Sequence, residues 1–194
     1  MFGKNSINTN SKHCGLLAVL LVISSLALTA KAASPLFTVH DAKTELVGDI
    51  YRLDANLELK LTPQALTALE NGVTLTIVLD IEVYTPNRYL WDDVLAHLEQ
   101  HYEIQYHTLA DQYLLRNINS GSQFVYSTLN ATLDALGKIK QLPILDAHLL
   151  QAEKHYKVRA RSRLDLGSLP VPMQLKAYIS SEWWLNSGWY SWDL

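Results

Sequence analysis

Two histidines stand four residues apart in His97-Leu98-Glu99-Gln100-His101, the spacing that puts both on one face of a helix, where they could share a metal ion. The order is not that of a zinc metalloprotease, which needs Glu directly after the first His. If the segment is a strand, four residues at about 3.3 Å each span roughly 13 Å, too far for one ion. Asp92, Asp93 or His107 would also have to complete the shell, and nothing in the sequence brings them there. The pair reads as surface histidines on an amphipathic segment, and no metal or other cofactor is expected.

A second constellation is the row Lys157, Arg159, Arg161 and Arg163, which alternates with apolar residues and so lines one face of a strand. Cations about 6.6 Å apart could hold a polyanionic glycan or lipid headgroups through charge-assisted contacts. The plainer outcome is cross-strand pairing with acids of neighbouring strands, Asp54 and Glu58 or Asp80 and Glu82. A third is the tail. Four of the five tryptophans fall in the last twelve residues, and Trp184, Trp189, Tyr190 and Trp192 are the candidates for contact with a partner. Large rings in a terminal strand would also lock the chain end onto a core. Trp183 and Trp184, as strand neighbours, would point to opposite faces.

No nucleophile has a visible helper: there is no nucleophile elbow, Ser-x-x-Lys pair, phosphate loop or dinucleotide fingerprint. Asp92 and Asp93 are adjacent, which on a strand sends them to opposite faces. The expectation is therefore a protein without catalytic residues, although dispersed ones would leave no such signature.

The elements that must position these residues are mostly strands. Tyr51, Leu53, Ala55, Leu57, Leu59 and Leu61 alternate with polar residues, as do Val73, Leu75, Ile77, Leu79, Ile81 and Val83. Between them Thr62-Pro63 offers a helix cap and first-turn proline, and Asn71-Gly72 a stop. Residues 88–100 fit either a helix, by Leu90, Val94 and Leu98, or a bulged strand. Alternation returns at Tyr102, Ile104 and Tyr106 and again at Tyr113 and Leu115. Ser127 can cap a helix striped by Leu129, Leu133 and Leu136 and closed by Gly137. Tyr156 to Leu166 makes another long strand, and the prolines at 170 and 172 forbid helix and lead to a last strand through Leu175, Ala177 and Ile179. The fold class is β-dominated α+β, an antiparallel sheet or sandwich of about six strands with two short helices.

The uncharged run from Gly15 to Leu28 follows Lys4 and Lys12 and ends in Ala30-Lys31-Ala32, the pattern of a cleaved export signal. Residues 1–32 are read as a signal peptide and 33–194 as a single periplasmic domain. If the signal stayed, it would tether the domain to the inner membrane, facing the same compartment. The 194-residue chain has a net charge of −3. Without Lys4, Lys12 and Lys31, thirteen basic residues face nineteen acidic ones, so the exported part carries −6 and nucleic acid is not expected as a partner. The only cysteine, Cys14, precedes the apolar run, so neither a lipid anchor nor a disulfide is expected.

Tyr102-Glu103-Ile104-Gln105-Tyr106-His107 with Gln112-Tyr113, Leu169-Pro170-Val171-Pro172, and Trp184 with Trp189-Tyr190-Ser191-Trp192 carry a resemblance across essentially the whole exported chain. It resembles the exported Gram-negative family known as domain of unknown function 4390. The resemblance implies export and a single domain, and it supplies no site residues. It also implies a signalling partner, since members are often encoded beside a membrane sensor kinase. The expected function is a non-catalytic envelope protein-interaction module, linked to such a system; the alternative is the polyanion or headgroup binder.

Overall fold

The computed structural model describes residues 36–89 and 91–194, so the export signal read over residues 1–32 and Leu90 lie outside the described residues. The alternating segments become strands of two antiparallel sheets. The smaller sheet joins β1 (Phe37–Val47), β2 (Ile50–Leu59) and β7 (Lys138–Asp146) in that order. The larger runs β6 (Gln123–Tyr126), β5 (Gln112–Asn117), β4 (Asp93–His107), β3 (Leu75–Thr85), β8 (Lys157–Leu164) and β9 (Tyr190–Asp193). Three short helices, α1 (Pro63–Glu70), α2 (Leu129–Leu136) and α3 (Val171–Ile179), complete a β-dominated α+β fold. No helix among the described residues is long and apolar enough to cross a membrane.

Local chemistry explains the elements. Thr62 caps α1 by accepting from the Ala65 amide, and Pro63 occupies the first turn, where a missing N–H costs nothing. The Thr62 hydroxyl also donates to the Glu182 carbonyl at 2.8 Å, tying α1 to the 3₁₀ turn Ser181–Trp183. In α2 the cap is Thr128, one residue after the expected Ser127. Gly137 ends α2 because a Cβ there would lie 2.3 Å from the Leu57 carbonyl oxygen, while its own carbonyl accepts from the Leu57 amide at 2.8 Å.

One expectation is corrected and two are made definite. Residues 93–107 form one long strand, with Leu95 left unpaired as a bulge between Val94 opposite Tyr84 and Ala96 opposite Val83. That extra residue breaks period two and counterfeits the helical spacing. The segment after Leu169 is a helix, not a strand: prolines at its first turn remove amides that have no intrahelical acceptor in any case, so they start α3 instead of forbidding it. Among the described residues there are nine strands, and β1 escapes a period-two reading because its register shifts between Val39 and Asp41.

The inner faces of the two sheets meet over Leu53, Ala55, Ile139 and Leu145 on one side and Leu79, Ile81, Val158 and Ala160 on the other. A second cluster lies under the helices, built on Phe37, Leu69, Leu75, Ile104, Leu133, Ala177 and Trp183. Burying these side chains contributes about 1.5–3 kcal/mol for each large one, a stabilisation that must replace disulfides in a chain with one cysteine.

Candidate functional site

The outer face of the larger sheet gathers the charged residues. Antiparallel register sets Arg159 opposite Glu82, Arg161 opposite Asp80, and Asp80 opposite Glu99. Asp80, only 1% exposed, accepts from Arg161 Nε at 2.8 Å and Arg163 Nε at 2.9 Å. Arg163 reaches on to Glu99 at 3.1 Å, and Arg159 binds Glu82 at 2.6 Å and Asp92 at 3.1 Å. Lys157 pairs with Asp193 at 3.3 Å. Burial alone would raise the Asp80 pKa, but hydrogen bonds and charge from Arg163 and Arg161 outweigh it and hold the carboxyl below the ordinary aspartate range. Each cation of the row thus has a carboxylate partner, Asp80 and Glu82 among them, and the face is charge-balanced instead of basic.

The two histidines lie on this face along β4. His97 Nε2 is 4.0 Å from Asp80 Oδ1, and His101 contacts Glu99 at 3.2 Å. One ligand atom each from Asp80, His97 and Glu99 falls within 4.8 Å, a grouping that could hold a metal. The guanidinium of Arg163 already bridges Asp80 and Glu99, and Arg161 also binds Asp80, so side-chain cations already occupy both carboxylates. Asp92, considered as a further ligand, serves Arg159.

The tail runs antiparallel beside β8, from the Leu164 amide bonded to the Leu185 carbonyl, through Ser187 on Ser162, to Lys157 opposite Asp193. Gly188, at φ +68, makes the kink that lets Trp189 fold over the charged face. Its ring covers Arg161 at 4.4 Å and Arg159 at 5.0 Å, while Tyr84 covers Arg159 from the other side at 4.6 Å. Trp192 sits opposite Val158, packs into the inter-sheet core and reaches Thr44 of β1 with its indole N–H. Trp183 is buried and Trp184 is 62% exposed, but Trp183 closes a 3₁₀ turn with Trp184 following it, so the expected strand alternation is not what sets them apart. Trp184, Arg161 and Arg163 line a common cleft of about 210 Å³, so the basic row and the tail meet in one place.

One surface had no place in the strand reading. Val171, Leu175, Tyr178 and Ile179 form an exposed stripe along α3, with Leu175 76% and Ile179 78% accessible, while only Ala177 is fully buried. Their spacing of four, three and one is a helical pattern that the prolines at its start obscure in the sequence. The helix packs on the turn that Trp184 follows.

Fold and surface together define an antiparallel α+β domain in which the cations of β8 are paired with carboxylates and α3 exposes an apolar stripe. The chain belongs to the family described as Domain of unknown function (DUF4390), whose model matches residues 34–193. Comparison with curated proteins and with solved structures gives no match.

Proposed function

We propose that this protein is a non-catalytic interaction module of the bacterial envelope, exported to the periplasm, that docks an envelope protein through apolar side chains. The observation that carries the reading is the exposed apolar stripe of α3, a helix packed on the turn Ser181–Trp183, and beside the same turn the cleft lined by Trp184 and Arg161 and Arg163, residue types of interface hot spots. The partner's contact segment is apolar: the cations flanking the cleft are already paired, which leaves little free charge to attract a polyanion. A membrane sensor kinase system is the first class of partner to test. The glycan or headgroup reading of Lys157, Arg159, Arg161 and Arg163 stands behind this one for the same reason.

The test is crosslinking of a tagged chain in its own host, followed by binding of the recovered partner to purified wild type and to Leu175→Glu and Trp184→Ser. Expected is binding by the wild type and its loss in both variants with unchanged melting. Equal binding by both variants would overturn the docking surface, and binding that collapses only with Arg159→Ser and Arg161→Ser in rising salt would favour the polyanion.

A further inference from the structure

A groove of about 450 Å³ lies between α1 and α3, within the range of small-molecule sites. Ala68 and Val73 form one wall, Met173 the other, and the Trp183 ring closes it, so the lining is largely apolar. Of the three polar residues on the α1 side, Gln64, Thr67 and Asn71, the last two direct a side-chain donor to backbone carbonyls of α1. The Thr67 hydroxyl donates to the Pro63 carbonyl at 2.9 Å, and the Asn71 amide donates to the Thr67 carbonyl at 2.8 Å.

Lys176 is the single charged residue of the lining. Unlike the lysine and arginines of β8, it has no ion pair and no side-chain hydrogen bond among the described residues, and no carboxylate lines the groove with it. An apolar trough with one uncompensated cation at its edge is complementary to one kind of small ligand. We propose that the α1–α3 groove binds an anionic amphiphile, its alkyl chain along Ala68, Val73, Met173 and Trp183 and its carboxylate or phosphate head on Lys176. The site is separate from the α3 outer stripe, and it goes beyond the protein-docking role.

The test is calorimetric titration of the full chain with dodecanoate, dodecyl phosphate and dodecanol below their aggregation limits. Expected is saturable one-to-one binding of one or both anions, the stronger of the two naming the headgroup. Lys176→Met should weaken anion binding about tenfold or more, as loss of a charge-assisted contact requires, and leave dodecanol unaffected. Thr67→Trp, on an exposed position at the rim, should block the groove with the melt unchanged. Absence of binding by both anions overturns the proposal. So does anion binding that survives both substitutions, which is how association with the apolar run Gly15–Leu28 would behave.

Discussion

Asp80 is a carboxylate with almost no exposure, held by Arg161 and Arg163 together. Its removal takes two charge-assisted hydrogen bonds from arginines that are themselves partly exposed, so Asp80→Asn is expected to destabilise the domain by about 1–3 kcal/mol in urea unfolding. The pH dependence has a definite sign. Because the folded-state pKa lies below the unfolded value of about 3.9, the stabilisation is complete above that value and is lost as pH falls through the folded one. Acid titration of the melt should show wild type losing stability below about pH 4, with a shallower loss in Asp80→Asn. Gly137→Ala tests a different force. Its φ of −69 suits any residue, but the methyl would strike the Leu57 carbonyl, and a cost of about 1–3 kcal/mol is expected from overpacking. A thermal melt equal to wild type would remove that assignment.

Among the elements, α3 separates what sequence can and cannot carry. Proline chemistry is local, but whether a proline starts a helix or ends one depends on whether downstream residues find a core, and only Ala177 of α3 does so fully. Ala177→Asp should therefore unfold the helix, whereas Leu175→Glu and Ile179→Glu should change stability by no more than about 0.5 kcal/mol. Circular dichroism melts of the three variants distinguish these cases. β8 was legible for the opposite reason: three apolar residues and Ser162 alternate with four cations, and a misregister by one would bury the cations. In β4 a single bulged residue, Leu95, was enough to make strand and helix equally plausible.

Across the whole molecule, stability comes from two sheets packed face to face and from helices closing the open end. With one cysteine in 194 residues no intrachain disulfide can form, so the melting temperature should be the same with and without reductant, a comparison that scanning calorimetry makes directly. β9 pairs with β8 and carries Trp192 into the core, so deletion of residues 186–194 should lower the melting temperature markedly and weaken cooperativity. By itself the amino-acid sequence determined the periodicity of β2, β3 and β8, the caps of α1, and the balance of strand over helix, because each of these depends on neighbours along the chain. It also offered two remedies for the basic row, a polyanion or acidic strands. Only the tertiary structure decided that Asp80 and Glu82 flank those arginines, that Trp189 lies over them and that α3 turns an apolar stripe outward. Strand order and the packing of helices on a core join residues some eighty positions apart, a relation that no local pattern encodes.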